Sequence, residues 1–390
     1  MAKEVGLVFA CGSTRSFSHY EDRRYARQEL LADEKAHART QQKLAERRRQ
    51  LPRARLETVL EIFFLKHLFV AGLFLISTNC ISAEKVGARF SSDDRSMAVA
   101  TTLGAKKWIH GSADCKSNAD PTIEVFRYDQ TSYILRQNKC HSFEAPFIYV
   151  LLGDEKVLVL DTGAIESPVE FPLYETVQSL INEHLGQDRK IDKELLVIHS
   201  HSHRDHYAGD SQFEGKPNVT LVEPTYAAVT RFFAFSDWPN GEASLDVGGR
   251  KLTIIPTPGH QEEAISVYDP QTKWLLTGDT FYPGYIYIKN WDEYKKSIAR
   301  LVSFSDAHEI SAVLGAHIEM SDRAGEHYPI GTTYQPNEAS LTLRVENLVA
   351  LNSALENSDR AKKIVSNKFV VVPMNAFQKT ISNIARWIIQ

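Results

Sequence analysis

Beyond about residue 120 the chain is written in short runs whose apolar and polar positions alternate with a period of two, the pattern of half-buried β-strands. Ile123 to Tyr128 and Ser132 to Arg136, separated by Asp129-Gln130-Thr131, predict a hairpin. Phe147 to Leu152 and Val157 to Leu160 predict a second one around Gly153-Asp154-Glu155-Lys156. Tyr174 to Leu185 spaces its apolar residues at helical intervals, and Leu195 to Ile198 is the short apolar run of a buried strand. The second half repeats the style. Strands are predicted over Lys251 to Ile255, Ala264 to Tyr268, Trp274 to Thr277 and Ala312 to Leu314, and a helix over Tyr294 to Phe304. The tail from Leu341 to Gln390 predicts helix, strand (Lys368 to Val372) and helix. Two β-rich halves that each carry helices point to an α+β chain with two sheets packed face to face and helices outside. No fixed-period repeat or low-complexity tract interrupts this reading.

The first part of the chain reads differently. Residues 1–64 carry basic clusters such as Arg23-Arg24 and Arg47-Arg48-Arg49, and read either as an over-long start assignment or as a separate helical extension. Then Lys66-His67 leads into the apolar stretch Leu68 to Ile76, which ends in Ile81-Ser82-Ala83. A basic start, a short apolar centre and a small-residue end make residues 65–83 a secretory signal peptide. The competing reading is a membrane anchor from Val59, but Glu61 and Lys66 break that longer run. Cleavage after Ala83 leaves residues 84–390 as a periplasmic or secreted domain with no stable membrane anchor. Of the four cysteines, Cys115 and Cys140 fall in that domain. A pair in an exported protein points to one disulfide around the first hairpin, with two free thiols as the alternative.

The formal net charge of −4 provides no general field for nucleic acid, and no basic strip with interleaved aromatics appears. A small-molecule substrate is expected, and no nucleic-acid partner.

Four residues with affinity for divalent metals fall within six positions: His201, His203, Asp205 and His206. Where a strand passes into a loop, His201 and His203 can point one way, while Asp205 and His206, past the turn, face a second position. Each zinc takes about four ligands at roughly 2.0–2.2 Å, so this run cannot close two shells alone. Candidates for the remainder are His260 in Pro258-Gly259-His260, Asp279 in Thr277-Gly278-Asp279-Thr280 and His317 in Leu314-Gly315-Ala316-His317. Each follows an apolar run and has a glycine nearby that permits close backbone approach. Crowding desolvated imidazoles and a carboxylate is costly without a cation, which marks the run as a site. Taken singly, His260, Asp279 and His317 read better as ordinary hydrogen-bonded residues than as ligands, and His184, His199, His308 and His327 read as ordinary surface or hydrogen-bonded histidines.

In order and approximate spacing, Asp161, the run His201-Ser202-His203-Arg204-Asp205-His206, and then His260, Asp279 and His317 resemble the pattern of the metallo-β-lactamase superfamily. The resemblance covers roughly Ile123 to His317. It implies an αββα sandwich with the site at one edge between the sheets. It implies that His201, His203 and His260 hold one metal, that Asp205, His206 and His317 hold the other, that Asp279 bridges them, and that Asp161 orients ligands from behind. Two zinc ions, or other divalent metals such as iron or manganese, would share a water whose pKa falls toward about 7, and the resulting bridging hydroxide would attack the substrate. Asp205 would hold the nucleophile's proton. Members that open β-lactams generally lack the carboxylate bridge, so hydrolysis of an ester, lactone or thioester is favoured. Tyr282 has a counterpart in lactonases of the superfamily, where the hydroxyl aids the substrate; packing at the pocket wall is the other reading. The chain departs from the usual pattern after His260, where Gln261-Glu262-Glu263 stands in place of Thr-Pro-Gly. Phosphodiesterase or nuclease action, β-lactamase action and a non-hydrolytic di-iron redox module remain as alternatives.

Overall fold

The structure, a computed structural model, describes residues 103–185, 193–380 and 382. The extension 1–64, the signal segment 65–83, and Cys11 and Cys80 lie outside the described residues.

Six strands form the first sheet: β1 (Ile123–Arg127), β2 (Ser132–Gln137), β3 (Phe147–Leu152), β4 (Lys156–Leu160), β5 (Glu194–Ile198) and β6 (Val219–Leu221), in that spatial order. β1 to β4 are an antiparallel meander, and β5 and β6 then add in parallel. The second sheet holds β7 (Ala243–Asp246), β8 (Lys251–Pro256), β9 (Ile265–Asp269), β10 (Trp274–Gly278), β12 (Ala312–Gly315) and β13 (Thr342–Leu343), ordered β13-β12-β10-β9-β8-β7. A third, small sheet joins β11 (Tyr285–Ile288) in parallel to β15 (Val370–Pro373), with β14 (Ile364–Val365) beside it. The two-sheet reading missed this one.

Alternation along the strands sorts side chains between layers. In β3, Phe147, Tyr149 and Leu151 join the core between the two large sheets, whereas Ile148, Val150 and Leu152 face the opposite way. There they meet helix α1 (Leu173–Leu185), whose Leu173, Val177, Leu180 and Ile181 recur at helical spacing. In the second sheet, Trp274 and Leu276 of β10 enter the central core while Leu275 turns outward. It meets Tyr294, Ile298 and Leu301 of α4 (Trp291–Ala307) and Leu348, Leu351 and Leu355 of α5 (Val345–Glu356). Asn290 starts α4 by accepting a hydrogen bond from the Glu293 amide. Helix, sheet, sheet, helix is therefore the order of layers, an αββα sandwich. Two short helices, α2 (Arg204–Tyr207) and α3 (Tyr226–Phe232), sit on connections. At about 1.5–3 kcal/mol for each large apolar side chain removed from water, these three clusters supply the main drive to fold.

Two further devices fasten the sandwich. Buried Arg250 donates to both oxygens of Asp269 (2.9 and 2.5 Å), to Ser132 Oγ, and to the carbonyls of Thr131 and Leu152, which ties the second sheet to the first. Cys115 and Cys140 are joined in a disulfide that encloses the β1–β2 hairpin. Closing a loop of this length constrains the unfolded chain by about 3 kcal/mol.

Candidate metal centre

Strand direction explains why residues so far apart in the chain meet. β4 and β5 are parallel; β10 is parallel to β12 and, two antiparallel steps away, also to β8. Their C-terminal ends lie at one edge of the sandwich, and each delivers part of the site. Asp161 follows β4, the run His199 to His206 follows β5, His260 follows β8, Asp279 follows β10 and His317 follows β12. Loops mounted on a rigid sheet edge are where function is usually carried. Gly278 has φ of 50°, and a side chain there would strike the Cβ of Ser200 at 2.5 Å, so the Asp279 loop packs on the histidine loop only because that residue is glycine.

All seven candidate ligands come together, in two nests. His201, His203, His260 and Asp279 form one, and Asp205, His206 and His317 the other, with the ligating atoms of each nest within 4.8 Å of one another. Asp279 stands between them. Its Oδ2 lies 3.8 Å from His201 Nε2 and 3.6 Å from His260 Nε2, whereas its Oδ1 lies 3.6 Å from His206 Nε2 and 3.4 Å from His317 Nε2. Asp205 Oδ2 faces His206 Nε2 at 3.3 Å and His317 Nε2 at 3.2 Å.

The nitrogens that point away from the centre are tied down. His206 Nδ1 is bonded to Asp161 Oδ2 (2.9 Å), His260 Nδ1 to the Tyr287 carbonyl (2.7 Å) and His317 Nδ1 to the Glu144 carbonyl (3.0 Å). With those N–H groups donated outward, each Nε2 lone pair faces inward, the tautomer a metal requires. Ser200 Oγ contacts His201 Nδ1 at 3.1 Å and donates to Asp161. Asp161 itself takes a left-handed backbone, φ 71°, fastened by the Ser200 amide on its Oδ1.

A divalent cation in each nest fits these residues. Two pairs of imidazole nitrogens abut, His206 Nε2 with His317 Nε2 at 3.3 Å and His203 Nδ1 with His260 Nε2 at 3.0 Å. His201 Nε2 and Asp279 Oδ1 are buried without a hydrogen-bond partner among the described residues. Buried polar atoms rarely stay unmatched, and a cation would satisfy them. The electrostatics differ between nests. Burial pushes His201 well below the ordinary imidazole value, His203 down to about 3 and His260 lower as well, which keeps all three in the neutral, ligating form. In the other nest burial acts the same way, but Asp205, Asp161 and Asp279 outweigh it at His206, and Asp279 and Asp205 raise His317 to about 9. That nest holds an excess of negative charge and draws a positive one.

A family model described as the metallo-beta-lactamase superfamily matches residues 142–307, the span that holds every site residue but His317. Over that span the chain is similar to the metallo-beta-lactamase superfamily. It is similar to the acyl-coenzyme A thioesterase MBLAC2 of Bos taurus, 25% identical over 247 residues that cover 51% of this chain and 87% of that protein. A hydroxyacylglutathione hydrolase of Brucella ovis is 30% identical over 87 residues, 22% of this chain and 34% of that protein. A solved metallo-beta-lactamase from Pontibacter korlensis aligns over 60% of this chain and 100% of its own at 18% identity, with a TM-score of 0.37.

Tyr282 lies beside this centre, its ring 5.6 Å from that of His317, but its hydroxyl points to Glu319 Oε2 (3.3 Å) and the Tyr285 carbonyl (3.2 Å). Burial and the Glu319 charge raise it well above the usual phenol range, so it remains a donor. His199, beside the cluster, is spent elsewhere: it bonds Asp210 and the Val222 carbonyl. Residue typing alone missed Ser200, whose hydroxyl is a common side chain with no metal signature, and the carbonyls of Glu144 and Tyr287, because a backbone oxygen has no residue signature. Gln261, seen only as a departure from the family pattern, packs its amide on His203 Nε2.

Proposed function

We propose that this chain is a hydrolase that works with two divalent metal ions, zinc in the first instance, and cleaves a carboxylic thioester, ester or lactone. The observation that carries the reading is the split of Asp279, one oxygen toward each nest. His201, His203 and His260 would hold one ion, Asp205, His206 and His317 the other, with Asp279 shared. Ions held there would supply Lewis acidity toward a carbonyl oxygen and would lower the pKa of a bound water. The chain's own groups do the rest. Asp205, partly exposed at the mouth of the site, is placed to take the proton of the attacking water, and Asp161 keeps His206 in its ligating tautomer. Tyr282, once its hydroxyl leaves Glu319, can donate to the substrate or leaving oxygen.

The thioester class is supported by the relatives, an acyl-coenzyme A thioesterase over 87% of its length and, over a shorter stretch, a hydroxyacylglutathione hydrolase. The disulfide supports the further reading that the protein works in an oxidising compartment such as the periplasm. The test is metal analysis of the purified protein, coupled to assays on acyl thioesters, aryl esters, lactones, phosphodiesters and β-lactams. Two ions per chain and turnover confined to the first three classes is the expected result. Iron without hydrolysis, or turnover of phosphodiesters alone, would replace this reading.

A further inference from the structure

Four of the five imidazoles in the centre rest on groups that suit a metal ligand: Asp161, the Tyr287 and Glu144 carbonyls, and Ser200. His203 differs from His206, His260 and His317 in orientation. It offers Nδ1 to the nest and turns Nε2 away, and the group that meets Nε2 is the side-chain amide of Gln261, at 2.5 Å. Gln261 is 2% exposed, and its amide also reaches Ser382 Oγ at 3.3 Å, so it is held rather than free to swing. Two residues on, Glu263 accepts the Ser202 amide at 3.0 Å, so the loop after His260 grips the histidine loop at two consecutive residues.

We infer that Gln261 is a positioning residue for His203, and that this three-residue departure from the family pattern replaces its missing backing. A neutral His203 that ligates through Nδ1 must carry its proton on Nε2. The amide nitrogen stands at that contact while Oε1 is buried without a hydrogen-bond partner among the described residues; exchanging the two in place, without moving the side chain, presents Oε1 to that N–H. The same exchange leaves the contact with Ser382 intact, since a hydroxyl both donates and accepts. Gln261 thus selects the tautomer of His203, as Asp161 does for His206. The role concerns retention of the ion held by His201, His203 and His260, not contact with substrate. It rests on the reading that this nest holds a metal.

The experiment compares wild type, Gln261→Ala and Gln261→Glu for zinc affinity at each site, by competition with a chromogenic chelator, and records the cobalt(II) spectrum of each. Loss of the backing group should weaken one of the two sites about 10–100-fold in Gln261→Ala and alter its cobalt spectrum, while the other site is unmoved. Gln261→Glu, which still accepts the N–H, should stay within about threefold of wild type, and this rescue separates positioning from packing. Unchanged affinity at both sites in Gln261→Ala, or a rise in KM with affinity intact, would overturn the role while leaving the two-metal reading in place. Equal loss in both variants would overturn it in favour of packing. Wild type that binds no ion would overturn both.

Discussion

Two of the buried polar clusters among the described residues differ in how their charges are balanced. At Arg250 one guanidinium meets one carboxylate and three further oxygens, and Asp269 also receives the amide and hydroxyl of Thr272. Nothing is left over. At the sheet edge, five imidazoles and two carboxylates converge, nitrogen lies against nitrogen, and His201 Nε2 and Asp279 Oδ1 find no hydrogen-bond partner among the described residues. The first cluster completes itself, and the second leaves converging lone pairs that a bound cation would match. Burial alone therefore does not mark a functional site; a surplus of converging lone pairs does.

The sharpest way to break the comparison is to remove the shared group. Asp279→Ala should lower hydrolysis by at least about a thousandfold, a loss of roughly 4 kcal/mol in transition-state stabilisation, and lower metal content, while the circular dichroism stays native. A fully active variant would show that the bridge is dispensable. Arg250→Ala should do the opposite: it strands Asp269 and costs about 3–5 kcal/mol of stability by chemical denaturation, with metal stoichiometry unchanged in the molecules that remain folded. Chelation should lower the melting temperature by several degrees, since an ion held a thousandfold above its Kd stabilises by about 4 kcal/mol, and the apo protein should still melt cooperatively. Acid separates the two clusters along one axis. His206 and His317, the latter raised to about 9, bind protons most readily, so the nest they share with Asp205 should lose its ion first as pH falls, whereas His203, lowered to about 3, should keep its ion to lower pH. Asp269, buried but held below the ordinary carboxylate range chiefly by Arg250, contributes stability that is present above its unfolded value and lost only as pH falls through its lower folded one. Metal content should therefore drop well before near-ultraviolet dichroism does. The smallest effect is expected from Tyr282→Phe, about a tenfold fall in kcat with metal affinity unchanged; an unaltered kcat would leave the ring as a pocket wall.

Much of the sandwich was legible because its strands are long enough to show alternation and end at clear turns. β1 and the first part of β8 alternate, whereas β3 and β10 are continuous apolar runs marked by their length and bounding turns. The elements that escaped are those whose burial depends on distant partners. β11 reads Tyr-Ile-Tyr-Ile but pairs with β15, some eighty residues on. α3 has one buried residue, Val229, and hence no apolar stripe, and β7 has no fully buried position. The run His201 to His206 announced itself by density alone, whereas His260, Asp279 and His317 became meaningful only through the order they share with a family. Backing groups were harder still. The Tyr287 and Glu144 carbonyls are chosen by where their strands end, which only the assembled fold decides.

The Tyr287 carbonyl also sets a limit on how far this protein can be divided. It lies on β11, and β11 keeps its place by pairing with β15 at residues 370–373. The matched span stops at residue 307, before His317 and before that strand. For gene fusion, domain exchange or recombination, a junction anywhere between the matched span and β15 would deliver a recognisable family segment whose His260 has lost the strand beneath its anchor. The inheritable unit is longer than the signature.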